Sequence, residues 1–316
     1  MTTTTAPPAP AGESTAPGGG RRTRAAARRE GRAAWILALP FSLLFLAFTA
    51  WPVLQSLFMS ITDTRSRDLR TPFAVDVTGL ENYTKALSDP LFLQSMRNTA
   101  YFVLVGVPLT LTVALAAAVA LNRGIHRLRS VFRLGFYTPV ITSIVAVAVV
   151  WRFLLQTDYG LINTVLGWVG IDGPNWLGDP SWSMPSLILM ATWRNFGTGM
   201  IIFLAGLQAV PWHLHEAAAI DGASAWQRFR HITLPLMRPT ILFVSVTTGI
   251  GYLQFFEEPF VMTNGGPLNS TISMSMYTYK QFGFGNYGYA AAISYIIFVL
   301  VAVVTAIQFR LLREER

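Results

Sequence analysis

Residues 99–121 read TAYFVLVGVPLTLTVALAAAVAL, an apolar run without a single Asp, Glu, Lys or Arg. The hydrocarbon core of a bilayer takes roughly 20 predominantly apolar residues per helical crossing, so this stretch has the length of one span. Its apolar residues follow one another directly. The strands of a membrane β-barrel instead alternate lipid-facing and lumen-facing residues over segments of about ten. Working outward, comparable stretches lie at about residues 33–61, 134–155, 184–209, 240–262 and 288–311. The pattern therefore predicts an all-α integral membrane protein with six transmembrane helices. The first stretch is too long for the apolar part of a cleaved signal peptide and reads as a retained span. Pro40, Pro52, Pro108, Pro139 and Pro259 fall within these stretches. Spanning helices tolerate proline where neighbours satisfy the freed backbone groups.

Composition agrees. The 316 residues are 52% hydrophobic and only 13% charged. A net charge of +8 could point to nucleic acid, but the basic residues cluster beside the apolar stretches, which argues for no nucleic-acid partner. The absence of cysteine excludes disulfides, thiolate metal sites and cysteine nucleophiles. His126, His213, His215 and His231 sit in basic linkers without a helical His/Glu pattern, so no metal site is expected.

The arginines set the expected orientation. Basic clusters occur before the first span, at Arg123, Arg127, Arg129 and Arg133, at Arg228, Arg230 and Arg238, and at the end with Arg310, Arg313 and Arg316. They alternate onto one side, which the positive-inside rule makes cytoplasmic. Both termini are then cytoplasmic, in a multi-pass protein of the cell membrane embedded in lipid. Residues 156–183 contain Asp158, Asp172 and Asp179 without Lys or Arg, as an outer loop should. Residues 62–97 carry mixed charge and are placed outside by the parity of the other loops. The expected organisation is a disordered basic tail at 1–32, a six-span domain at 33–312 and a cytoplasmic end at 313–316. Trp176, Trp182, Tyr287 and Tyr289 lie at span ends and read as interfacial anchors.

Residues 208–239 read QAVPWHLHEAAAIDGASAWQRFRHITLPLMRP. Pro211 suits the first turn of a helix over Trp212–Ala219, and Asp221-Gly222 is a stop. A second short helix carries Trp226, Phe229 and Ile232 before Leu234-Pro235 redirects the chain into the fifth span. Such a pair is either a docking knob for a soluble partner or an amphipathic linker lying on the membrane surface.

Polar residues inside spans are expensive and mark functional candidates. The fourth span offers Arg194, Asn195 and Thr198; the fifth offers Thr247, Thr248, Tyr252, Gln254, Glu257 and Glu258. Hydroxyls, amides and aromatic faces are what a sugar needs, although polar groups also join helices to one another. Glu257 and Glu258 read equally as a structural pair, an outer gate or ligand contacts.

Glu216-Ala217-Ala218, then Gly222, then nine residues to Ile232-Thr-Leu-Pro235, resembles the EAA signature of the membrane subunits of bacterial ABC importers. Asp221-Gly-Ala-Ser and Thr263-Asn-Gly-Gly-Pro267 resemble the carbohydrate-uptake branch, the MalF/UgpA/SugA-like binding-protein-dependent permeases. The resemblance covers about residues 33–312. It implies a type I importer core with a cytoplasmic coupling helix, in which Glu216, Ala217, Ala218, Asp221, Gly222, Ile232, Leu234 and Pro235 couple to an ATPase. It further implies sugar contacts at Arg194, Asn195, Thr198, Thr248, Tyr252, Gln254 and Phe255. The implied partners are a second homologous permease, two ATP-binding subunits holding ATP and Mg, and an extracytoplasmic solute-binding protein. The resemblance offers Gly265-Gly266-Pro267, Asn269, Tyr277 and Tyr279 for docking that protein.

The chain has no Gly-x4-Gly-Lys-[Ser/Thr] phosphate loop, so it is expected to be a transport subunit without its own ATPase site and without a cofactor. The substrate reading is a di- or oligosaccharide. A polyol, glycerol phosphate or an amino acid stays open, as does, from another class, a membrane-bound enzyme or signalling subunit.

Overall fold

The computed structural model describes residues 24–70, 75–123 and 129–312. It divides into two compact units, Met1–Gln55 and Ser56–Arg316. Every regular element among the described residues is helical, and the one β feature is an isolated antiparallel bridge between Thr62 and Val77.

Among the described residues four helices are long and apolar enough to cross a membrane: Trp35–Ser60, Pro90–Asn122, Pro180–Ala209 and Tyr287–Leu311. Two bent pairs make the number six if each is one span: Ser130–Ile141 with Ile144–Leu154, and Ala225–Leu236 with Arg238–Leu253. They are called spans one to six in chain order.

The bent pairs correct the expectation of continuous helices. Span three turns by 99° at Thr142-Ser143. Pro139 removes a backbone donor, Thr138 and Thr142 donate their hydroxyls to the carbonyls of Leu134 and Thr138, and Ser143 leaves the helical region at φ −53° and ψ 127°. Span five bends by 67° at Met237 rather than at Leu234-Pro235. It then stops at Leu253, and a separate short helix, Glu257–Met262, follows.

Pro235 does not redirect the chain because the residues before it have widened. Phe229–Thr233 is a π-helical turn in which the Leu234 N–H reaches back to the Phe229 carbonyl. The same device precedes Pro52, where Leu46–Ala50 is a π turn and the Trp51 N–H reaches Leu46. A wider turn gives the proline ring room that an α turn would deny it.

The boundary expected at residue 32 is not a helix end, since the helix of span one begins at Arg24. Ala and Arg, which dominate residues 24–29, are strong helix formers. The rest of the tail expectation, residues 1–23, and the expected end at 313–316 lie outside the described residues.

Within Ser56–Arg316, span two contributes to all three apolar clusters: Phe92 to one, Phe102 and Val107 to the next, and Ala114, Ala118 and Leu121 to the third. Span four lies beside it. At Gly199 an added Cβ would stand 3.0 Å from the Ala114 methyl. Small residues let backbones approach where lipid supplies no hydrophobic drive between helices.

Candidate functional site

Spans four and five line most of an open cavity of about 360 Å³. Arg194, Asn195 and Thr198 reach it from span four, and Thr248, Tyr252, Gln254 and Phe255 from the end of span five, so all seven expected sugar-contact residues lie on one wall system. The sequence selection missed Ile144, which the sharp bend of span three brings to the same cavity. Thr247, Glu257 and Glu258, which the sequence offers as polar candidates without counting them among the seven sugar contacts, line it as well. The helix of span five ends before Gln254, and Glu257 and Glu258 begin the short helix that follows.

The residues play different parts. The Tyr252 ring is buried, its hydroxyl shares a hydrogen bond of 2.8 Å with Thr110, and Thr110 in turn donates to Thr192. Phe255 is buried against Phe102, the rings stacked at 3.9 Å between centroids. These two are wall, already satisfied by the fold. Thr247 spends its proton on the carbonyls of Phe243 and Val244. Arg194 donates to Asn195 Oδ1 at 3.1 Å, while its Nε is buried without a partner. Thr198 and Gln254 are exposed, and Thr248 is half-buried.

At the other end of span five, Trp212–Ile220 forms the expected short helix. It closes at Gly222, whose φ is +80°, with Gly222 N–H bonded to Ala219 and Ala223 N–H bonded to Ala218. That pairing is a Schellman stop, which requires the left-handed conformation glycine adopts freely. Ser224 and Gln227 then cap the next helix reciprocally. Glu216, Ala217, Asp221 and Gly222 are exposed, whereas Ala218, Ile232, Leu234 and Pro235 are half-buried. Trp212, Ile220 and Trp226 stand 68%, 87% and 66% exposed, an apolar surface on a polar segment. Met237, at the bend within span five, is buried in one cluster with Phe203, Leu204 and Leu207 of span four. The segment is thus rigidly rooted in the helices that form the cavity.

On the face carrying residues 75–99 and 263–289, Asp89 organises the loops. Its Oδ1 accepts the Leu91 and Phe92 N–H groups, capping span two, and its Oδ2 accepts the hydroxyls of Tyr277 and Tyr289. Burial pushes the Asp89 carboxyl up, but these donors outweigh it and hold it below the ordinary 3.8. Burial and the neighbouring carboxylate push Tyr277 up to about 12. This network corrects two expectations. Tyr277 is buried and committed, so it offers no docking group, and Tyr289 is an internal strut rather than an interfacial anchor. Trp176 likewise donates to Asn163 and packs against the core. Asn269 and Tyr279 are exposed, as docking requires.

Residues 106–315 match the family model described as binding-protein-dependent transport system inner membrane component. The chain is 37% identical over 288 residues to the lactose transport system permease protein LacF of Rhizobium radiobacter, covering 89% of this chain and 94% of that protein. It is 33% identical over 291 residues to the trehalose/maltose transport system permease protein MalF of Thermococcus litoralis, covering 91% and 96%. Its fold is similar to a chain in the crystal structure of a bacterial alginate ABC transporter in complex with alginate pentasaccharide-bound periplasmic protein. The TM-score is 0.75 at 24% identity, covering 93% of this chain and 98% of that one.

Proposed function

The chain belongs to the binding-protein-dependent transport system inner membrane components, and from that premise we propose that it is the permease subunit of an ATP-driven importer for a di- or oligosaccharide. The observation that carries this is the joint rooting of two features in span five: a polar cavity at one end and an exposed apolar knob at the other. Lactose and trehalose/maltose in the names of the relatives support a sugar as the cargo.

In this reading a second permease completes the path, and two ATP-binding subunits carrying ATP and Mg grip Trp212–Ile220. A solute-binding protein delivers sugar to the opposite face, the two termini being cytoplasmic. Closure of the ATPase pair pulls on the knob. Because Met237 is locked into the apolar cluster of span four, the pull is passed to the cavity walls instead of being lost in a flexible linker. No covalent chemistry on the sugar is required.

The chain contains no cysteine, so single cysteines can be introduced into the native background. Trp226→Cys should cross-link to an ATP-binding subunit in intact cells, and Glu216→Lys should abolish sugar uptake at unchanged membrane levels. Full uptake by Glu216→Lys, or labelling of Trp226→Cys from outside the cell by a membrane-impermeant reagent, would overturn the reading.

A further inference from the structure

We propose that Glu258 is the specificity-determining residue of the cavity, selecting a neutral, hydroxyl-rich sugar unit by accepting a hydrogen bond from one of its hydroxyls and rejecting units that carry a carboxylate or phosphate. The inference rests on the sugar-import reading and narrows it.

Glu258 lines the cavity yet is only 5% exposed, and its Oε2 has no hydrogen-bond partner. A buried polar atom left unpaired is costly, and an acidic side chain at membrane depth is costlier still, so such a group persists where a ligand completes it. The Nε of Arg194, in the same lining, is the second buried atom without a partner. Among the described residues Arg194 and Glu258 form no ion pair with each other, so neither satisfies its opposite. A sugar hydroxyl both donates and accepts, and it fits between a carboxylate acceptor and a guanidinium donor.

Charge then decides the class. The lining holds Glu257, Glu258 and Arg194, two acidic groups against one basic. A uronate or a phosphorylated sugar would bring a further acidic group beside Glu257 and Glu258 with one cation in the lining to answer it, and another acid next to a buried carboxyl adds to a cost that is already high. The amides of Asn195 and Gln254 and the hydroxyl of Thr198 add neutral donors and acceptors that suit further hydroxyls.

The test uses cells that lack other sugar uptake and express the whole transporter with its binding protein. The probes are radiolabelled lactose, maltose and raffinose as neutral sugars and digalacturonate as the acidic one, each scored where the purified binding protein binds it. The wild type should take up at least one neutral probe and exclude digalacturonate. Loss of a hydrogen bond to a charged group corresponds to about ten-fold or more in rate, so Glu258→Gln should lower neutral-sugar uptake by that factor at saturating sugar. Glu258→Ala should be at least as impaired. Membrane levels should stay at wild-type values in both. The proposal is overturned if the wild type imports digalacturonate, if both variants transport at the wild-type rate, or if uptake falls only in proportion to lost membrane protein. Uptake of none of the four probes counts against sugar import itself, and the inference falls with it.

Discussion

Gly197 of span four lies directly against the backbone carbonyl of Phe136 in span three, so closely that a Cβ at residue 197 would run into the carbonyl oxygen. A backbone obstacle cannot rotate aside as a side chain can. Gly197→Ala must therefore push the two helices apart, and overpacking of this kind costs about 1–3 kcal/mol. The neighbours Asn195 and Thr198 would move with the helix, which couples the defect to the cavity. A lower melting temperature in detergent together with reduced uptake is expected. An alanine variant with wild-type melting and uptake would refute the contact.

Tyr252 was a natural choice for a sugar platform, and its burial changes what substitution should do. Removing the hydroxyl leaves Thr110 with one partner fewer, a loss of about 1 kcal/mol, while the ring that fills the wall remains. Tyr252→Phe should therefore melt slightly earlier and keep its substrate selectivity. Gly106→Ala attacks the same contact from the other side, since its Cβ would come within 2.9 Å of the Tyr252 ring. Altered selectivity in Tyr252→Phe, measured by uptake competition between lactose and maltose, would instead make the hydroxyl a ligand contact.

Asp89 gives the outer loops a pH dependence whose sign follows from its donors. A carboxyl held below its ordinary value stabilises the fold fully above 3.8 and loses that contribution as pH falls through the lowered value. Asp89→Asn lacks this term and should melt earlier than the wild type at pH 6. The gap between the two should close as the pH drops below 3.8. Parallel melting curves at all pH values would mean that the carboxylate is not held by Tyr277 and Tyr289.

The spans were legible because hydrophobic length is a property of consecutive residues, and the cavity residues because charged and amide groups inside such stretches have few other uses. What escaped was long-range. Nothing near Ile144 in the sequence announces that Thr142-Ser143 turns the chain by 99° and delivers it to the cavity. Nothing near Asp89 tells that two tyrosines, 188 and 200 residues away, will donate to it. The break at Gln254 was hidden for a different reason. Gln254, Glu257, Glu258 and Pro259 interrupt the apolar run there, but polar residues and proline occur inside other spans without ending them, and the structure alone shows the helix stopping at Leu253 with Phe255 packed on Phe102. The π turn before Pro235 was invisible in the same way, which is why the redirection was expected two residues too early.

Gly222 separates conformation from volume in the coupling segment. Its φ of +80° closes the Schellman stop, and a Cβ there would meet nothing within 4 Å. Substitution therefore carries no steric penalty toward this chain, only the left-handed penalty of about 1–2 kcal/mol for an ordinary L-residue. Asparagine visits that region more readily than alanine. If the turn's shape is what an ATPase subunit grips, uptake should fall in the order glycine, asparagine, alanine at equal membrane levels. The melting temperature should hardly change, because the segment is exposed and buries little. If asparagine is as damaging as alanine or worse, the size of the side chain in a protein interface matters more than the backbone. Equal uptake by all three would remove the segment from the coupling path, since a handle whose shape does not matter transmits no force.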